Sequence, residues 1–267
     1  LAEEGLALCR SLGDRRGEAV AFNNLGWVAH YRGAFRSASR LHQESLALRR
    51  TLADQRGAAF ARINAAWAET HLARYDRADA LLDDAWADVR AVKDMQEQIW
   101  WLFVHGNRAY HAGHLELASD RLHEGLRLWK EGGNRSLRAL IEGALGHVRI
   151  DQDRIEDARS LLQASLELWN AVGCPWGVAA VTAALGRCTS ASWDEAQTIA
   201  FCQKSWSLRH RIGDRYGMAE CMEVMALIAF TRQELERATR LSAAAASLRE
   251  TLGAPLPRSR QEASSRR

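Results

Sequence analysis

Residues 11–54 read SLGDRRGEAVAFNNLGWVAHYRGAFRSASRLHQESLALRRTLAD. A small residue followed by aspartate stands near the start of this stretch, at Gly13-Asp14, and again at its end, at Ala53-Asp54. A glycine after a leucine-rich run typically ends a helix, and an adjacent Asp or Asn caps the next helix. This junction recurs every 40 residues, which predicts an internal repeat. Its seven copies are Gly13-Asp14, Ala53-Asp54, Lys93-Asp94, Gly133-Asn134, Gly173-Cys174, Gly213-Asp214 and Gly253-Ala254.

Leucine and small residues also recur every 40 residues, in step with the junctions. Short side chains in fixed columns indicate that two helices of each repeat approach one another closely. A leucine column precedes the junction at Leu8, Leu48, Leu128, Leu168, Leu208 and Leu248. Small residues recur at Gly26, Ala66, Gly106, Gly146, Gly186 and Ala226, at Ala38, Ala78, Ala118, Ala158 and Ala238, and at Gly17, Gly57, Gly177 and Gly217.

Each repeat reads as two amphipathic helices, because its apolar residues fall on one helical face. One hairpin is too small to bury that face alone, so neighbouring hairpins must stack. We predict an all-α fold, a right-handed α–α superhelix of about six hairpins. The predicted parts are a truncated repeat at 1–13, hairpins at 14–53, 54–93, 94–133, 134–173, 174–213 and 214–253, and a disordered tail at 254–267.

The fifth repeat departs from this register. Its segment Trp193-Asp194-Glu195-Ala196 aligns best two residues early against residues 35–38 of the first repeat. The alignment predicts a shortened turn and a local irregularity near residues 188–200.

The pattern Phe22-x-x-Leu25-Gly26-x-x-Ala29, followed by Gly33-x-Phe35 and Ala38, resembles the tetratricopeptide repeat. The period of 40 exceeds the usual 34 and implies longer helices. The amino-acid sequences of residues 1–29 and 247–261 are similar to those of C-terminal tetratricopeptide arrays of bacterial signal-transduction ATPases and LuxR-like transcriptional regulators. This resemblance implies a sensor or interaction region of a larger regulator.

Composition narrows the function classes. The formal net charge of +3 is too small to indicate a nucleic-acid or membrane partner. Five scattered cysteines without a C-x-x-C pair favour reduced thiols in the cytoplasm. No apolar run is long enough to span a bilayer. The chain starts with Leu1 inside an apparent helix, so we expect a fragment of a longer protein.

The sequence contains no phosphate-binding loop, nucleophile elbow or zinc-protease motif, so we expect neither an enzyme nor a cofactor. Four histidines cluster in the third repeat, and two of them straddle a turn. We interpret them as side chains of a helix end and groove wall, not as metal ligands. They are His105, His111, His114 and His123.

In tetratricopeptide arrays the first helix of each hairpin lines the concave face. Aligning the helices on Gly26 predicts which side chains point inward, and many of them are aromatic with hydrogen-bonding tips. The predicted groove residues are Asn23, Trp27, His30, Tyr31, Trp67, His71, Phe103, Asn107, Tyr110, His111, His147 and Arg187. The alternative interpretation is that these tryptophans and asparagines fill space between helices.

Two functions compete. The first is a scaffold that binds a protein or peptide segment in the concave groove. The second is an arm that senses a small-molecule inducer and controls an ATPase or DNA-binding domain outside this chain. Direct RNA binding requires a basic groove, and the predicted lining is mostly neutral. Apolar end faces of a truncated array favour self-association.

Overall fold

The computed structural model describes residues 2–92, 94–130, 134–191 and 194–265. Over these residues the regular structure is entirely α-helical. The helices are α1 Ala2–Ser11, α2 Arg15–Tyr31, α3 Phe35–Thr51, α4 Gln55–His71, α5 Tyr75–Val92, α6 Met95–His111, α7 Leu115–Trp129, α8 Arg135–Asp151, α9 Ile155–Val172, α10 Pro175–Ala191, α11 Glu195–Ile212, α12 Arg215–Thr231, α13 Leu235–Leu252 and α14 Arg258–Ser265.

Helices α2 to α13 pair in sequence into six antiparallel hairpins, and each hairpin stacks on the next. The first helices of the hairpins begin at residues 15, 55, 95, 135, 175 and 215, one every 40 residues. The predicted all-α solenoid of helical hairpins is confirmed.

The residues at the junctions between hairpins cap the helices as their residue types predict. The Asp14 carboxylate accepts a hydrogen bond of 2.9 Å from the backbone N–H of Gly17, and Asp54 and Asp214 cap α4 and α12 in the same way. Gly213 ends α11 with a φ of +75°, a left-handed conformation that glycine adopts without strain. Each cap satisfies backbone groups that a helix end leaves without partners.

The small-residue columns mark places where backbone and side chains touch. A Cβ added to Gly146 would overlap Leu162 of the paired helix, and one added to Gly177 would overlap the Trp169 ring of the preceding hairpin. A Cβ added to Gly217 would overlap the Arg209 guanidinium. Glycine in the first turn of these helices therefore makes room for a large side chain of the hairpin before it.

The expected slip in the fifth repeat is wrong. Helix α11 begins at Glu195, which keeps the 40-residue step from the start of α9 at Ile155. Thr198 occupies the buried small-residue position, and its hydroxyl donates to the Asp194 carbonyl at 2.7 Å, so a polar residue replaces alanine without a change of register. Trp193 lies outside the described residues.

The first and last hairpins meet. The Phe35 ring packs edge-on against Tyr216 with 5.2 Å between centroids, and Leu252 joins the same apolar cluster. The Arg215 N–H also donates to the Arg32 carbonyl. The superhelix therefore closes on itself within six hairpins, and its concave groove becomes an internal lumen.

The predicted disorder of residues 254–267 is wrong for residues 254–265, which are the described part of this segment. Ala254 and Pro257 are buried, and α14 follows at Arg258–Ser265. The segment folds back against α6 and also contacts α12 of the hairpin that precedes it. Among the described helices, none has the length and hydropathy needed to cross a bilayer.

We predict that Gly177→Ala lowers the free energy of unfolding by about 1–3 kcal/mol, because the added methyl group forces the rigid Trp169 ring from its site. Urea unfolding followed by circular dichroism measures the change. The matched control is Gly5→Ala in α1, where a Cβ meets nothing and stability stays level or rises slightly. Equal stability of the two variants would contradict the packing explanation.

Candidate ligand-binding lumen

Aromatic rings from the first, second, third and fifth hairpins meet in the lumen. Trp27 of the first hairpin lies 5.5 Å from Trp67 of the second and 5.3 Å from Trp100 of the third, between ring centroids. Trp176 of the fifth hairpin reaches across to Tyr31 at 4.9 Å. Tilted and edge-to-face arrangements at these distances are favourable for aromatic pairs, so the rings form one continuous cluster.

A first cavity of about 600 Å³ opens beside this cluster, along the first turns of α4, α6, α8 and α10. Its walls are mainly apolar, and charged groups stand at its edge. There the Arg56 guanidinium pairs with Glu97 at 2.5 Å and with Asp94. The apolar lining residues are Trp27, Tyr31, Phe60, Trp67, Trp100, Leu137, Leu140, Trp169, Val172 and Trp176.

A second cavity of about 130 Å³ follows the last turns of α4, α6 and α8 and the first turn of α12. It shares Trp67, Leu140, Trp169 and Trp176 with the first cavity. Pro257 and Arg260 of the C-terminal segment form part of its wall. The second cavity is therefore the smaller part of the lumen, and it is partly filled from within the chain.

Most predicted groove residues line one of the two cavities. Trp27, Tyr31 and Trp67 line the first. Those of the second cavity are His30, Trp67, His71, Phe103, Asn107, Tyr110, His111 and His147.

Two predicted residues line neither cavity and serve the scaffold instead. The Asn23 amide oxygen accepts from the Asn64 side chain at 3.0 Å and lies 3.0 Å from Nδ1 of His42. Arg187 pairs with Asp151 at 2.5 Å and lies 3.0 Å from Nδ1 of His147. The polar groups of Asn23 and Arg187 are therefore occupied by hydrogen bonds to side chains of neighbouring helices.

Trp67 belongs to the groove and to the core at once. Its side chain is only 3% exposed, and its indole N–H donates to Asn107 at 3.2 Å. His30 stacks on its ring at 3.7 Å between centroids. Trp67 therefore lines both cavities and also packs between helices.

The sequence alignment missed the amino-terminal half of the lining. Trp176 and Tyr216 hold equivalent positions at the start of α10 and α12, and Phe60, Trp100 and Leu140 form a second column one turn later. These columns lie about two and three helical turns before the Trp27 column, on the same face. Following the predicted inward face toward the amino-terminal ends of the first helices would have identified these residues from the sequence.

Burial keeps the lumen histidines neutral. Desolvation lowers the pKa of His42 and of His111 to about 3, and that of His147 to about 4. Burial also lowers the pKa values of His30 and His71 well below the ordinary value. These rings therefore act as uncharged aromatic and hydrogen-bonding groups near neutral pH.

The carboxylates of the lumen behave in the opposite way. Burial disfavours the charged form of Glu220, but Arg209 and Arg260 outweigh that effect and lower its pKa to about 2. Asp151 has a lowered pKa because Arg187 and a hydrogen bond from Ser259 overcome its burial. Glu220 therefore places a fixed negative charge in the wall of the second cavity beside neutral histidines, whereas burial raises the pKa of Asp214 in the same wall.

The histidines of the third repeat are dispersed. His111 faces the lumen, whereas His114 lies exposed at the start of α7. Across the part of the chain that the structure describes, no three His, Cys, Asp or Glu side chains are grouped as metal ligands.

Comparison with known proteins supports the repeat assignment. Residues 19–55 match the family described as Tetratricopeptide repeat. No curated protein sequence matches the chain significantly. The fold is that of a tetratricopeptide-type superhelix, since solved structures of this type superimpose on most of the chain.

One similar structure is a Rap protein complexed with competence and sporulation factor, with a TM-score of 0.71 and 10% identity over 92% of this chain and 79% of that one. Another is an aspartyl phosphate phosphatase from Bacillus subtilis, with a TM-score of 0.55 and 14% identity over 80% of this chain and 56% of that one. A signal transduction ATPase with numerous domains and a tetratricopeptide repeat sensor, from Pyrococcus horikoshii, has a TM-score of 0.58 and 15% identity over 88% of this chain and 37% of that one.

We predict that the chain loses stability between about pH 7.5 and 5.5. A histidine whose folded pKa is lowered contributes stability above its unfolded pKa of 6.5 and loses it as the pH falls below that value. His42 and His111 should each lose about 1 kcal/mol over this range. Urea unfolding at both pH values measures the loss.

The control is His42→Gln, compared with the parent chain at both pH values. The variant is less stable throughout, but its loss on acidification should be about 1 kcal/mol smaller than that of the parent. An identical loss in both chains would show that protonation of His42 does not oppose folding.

Proposed function

We propose that this chain is a binding module without catalysis of its own, which receives a protein or peptide segment in its first cavity. Tetratricopeptide repeats are protein-interaction scaffolds, and the chain has both the repeat and the superhelix. We further propose that it is the sensor or interaction region of a larger bacterial regulator in the cytoplasm. Its five cysteines form no disulfide, which agrees with that location.

The first cavity is the observation that carries the proposal. Its aromatic walls offer a large contact area with few rotatable bonds, as binding surfaces require. Trp27 and Tyr31 are only partly buried, so their faces are open to a guest. The cavity also offers hydrogen-bonding groups, because Gln96, Asn134 and Ser136 line it.

One polar atom of this cavity has unused bonding capacity. Glu97 accepts from Arg56 through Oε1, while its buried Oε2 has no hydrogen-bond partner among the described residues. Burial raises the pKa of Glu97, which reflects the cost of holding this charge with little solvation. A backbone or side-chain N–H of a bound segment would relieve that cost.

The solved structures agree with a role in regulation. The Rap protein was crystallised with competence and sporulation factor, and the Pyrococcus ATPase carries its repeats as a sensor. This chain corresponds to 37% of the length of that ATPase, so the switching domains would lie outside it.

A small-molecule inducer is the second candidate, and the size of the cavity favours it. A volume of about 600 Å³ lies within the range of small-molecule sites, and the lining is mostly apolar with few polar groups. The inducer would occupy the same aromatic cavity, so the two candidates differ in the ligand and not in the site.

We predict that Trp27→Ala weakens binding at least about tenfold, because the indole supplies one wall of the cavity. The probes are peptides selected from a random dodecapeptide display library on the immobilised chain. Their affinities for the parent and the variant are measured by fluorescence anisotropy.

The matched control is Trp206→Ala, which removes a tryptophan that lines neither cavity. It should leave peptide affinity unchanged, and circular dichroism checks the fold of each variant. Selected peptides that bind the Trp27 variant as tightly as the parent would place the site elsewhere. Selection of no peptide, together with small molecules that shift the tryptophan emission of the parent, would favour the inducer.

A further inference from the structure

The C-terminal segment occupies the second cavity through side chains that the repeats do not need for stacking. The last hairpin ends at Gly253, which caps α13 with a φ of +65°. Pro255 and Pro257 follow, and proline has no backbone N–H and a fixed φ. Residues 254–257 therefore enter the lumen as a stiff, extended segment, and helix α14 continues from Arg258; residues 254–261 together are called the strap.

Three consecutive side chains of the strap reach three different hairpins. The Arg258 guanidinium lies 5.3 Å from the ring centroid of Tyr75, in a cation–π arrangement. The Ser259 hydroxyl donates to Asp151 at 2.8 Å. The next residue, Arg260, turns toward α12.

Arg260 sits between two glutamates of α12. Its guanidinium lies 2.9 Å from Glu223 and 3.8 Å from Glu220, and its side chain is only 14% exposed. An ion pair with so little solvent access is screened weakly, so this contact is the strongest single attachment of the strap.

Each carboxylate that the strap contacts is also paired with an arginine of the repeats. Asp151 is already paired with Arg187, Glu220 with Arg209 at 3.0 Å, and Glu223 with Arg249. Departure of the strap would leave none of these carboxylates without a cation. Its removal therefore avoids the large cost of an isolated buried charge.

The charges of this network also specify the guest. Arg209 pairs with Asp214 as well as with Glu220, so four carboxylates face three guanidinium groups of the repeats. The neighbouring rings of His111 and His147 are neutral because burial lowers their pKa values. One further cation balances the network, and Arg260 supplies it.

We propose that Asp151, Glu220 and Glu223 form a second peptide-binding site, which accepts an arginine-bearing segment and which the chain's own residues 254–261 fill as a displaceable ligand. The guest class is a proline-containing segment with an arginine that enters between the two glutamates. A regulatory partner of this class would compete with the strap. This site is distinct from the aromatic first cavity, because Arg260 does not line that cavity.

The experiment uses the full chain with Arg260→Glu, which repels the strap and leaves the acceptor surface untouched. The probe is a fluorescein-labelled peptide APLPRSRQ, the sequence of residues 254–261. We expect the variant to bind it at least about tenfold more tightly than the parent, whose site is already occupied. A second peptide with alanine in place of the final arginine should lose at least about tenfold in affinity for the variant.

Hydrogen exchange of residues 254–261 reports the strap directly, and it should be faster in the variant than in the parent. The control is Arg237→Glu on α13, an exposed arginine that pairs only locally with Glu234. It should leave both exchange and peptide affinity at the level of the parent. Arg260→Ala is the second variant, and it releases the strap without adding a negative charge.

Three results would overturn the proposal: equal affinity of APLPRSRQ for parent and variants, equal affinity of the two peptides, or an undisturbed strap in both Arg260 variants. A failure here is distinguishable from a failure of the first cavity. Trp27→Ala reports on the aromatic site, whereas the Arg260 variants report only on the acidic one.

Discussion

The close stacking of hairpins is the constraint on which the rest of the structure depends. Each hairpin contributes a glycine or alanine where its neighbour, or its own second helix, presents a large side chain, as Gly177 does beneath Trp169. Close-packed interiors tolerate little change in volume, so these contacts hold the spacing and rotation of successive hairpins within narrow limits. The same small rotation, repeated through the array, brings Phe35 to Tyr216 and closes the lumen.

Closure changes what the inner surface can do. An open solenoid presents its concave side chains to water, whereas here Trp27 of the first hairpin faces Trp176 of the fifth within a cluster joined through Trp67. The rings thus have partners on more than one side, and they define a cavity with walls of fixed shape. A preorganised cavity costs a guest less than a flexible one, since the ordering of its walls has occurred during folding.

The lumen is divided by chemistry as well as by shape. Its first part is aromatic with charged groups at the edge, and its second part carries the ion-paired network of Glu220, Asp214 and Arg209. Burial keeps His111 and His147 neutral there, so the arginines alone balance the carboxylates. The C-terminal strap joins that network through Arg260, and its Ala254 and Pro257 are buried.

The repeat, the hairpins and many lining residues follow from the sequence, because they depend on local rules: a cap at Asp14, a left-handed glycine at Gly213, and a helical face shared by every first helix. The closure, the hydrogen-bond partners of Asn23 and Arg187, and the docking of the strap do not follow from it. They depend on the angle between neighbouring hairpins, which is small, is set by packing and accumulates over some 180 residues between Phe35 and Tyr216. Sequence alone therefore determined the unit and its period, and the tertiary structure decided which distant units meet and what lies between them.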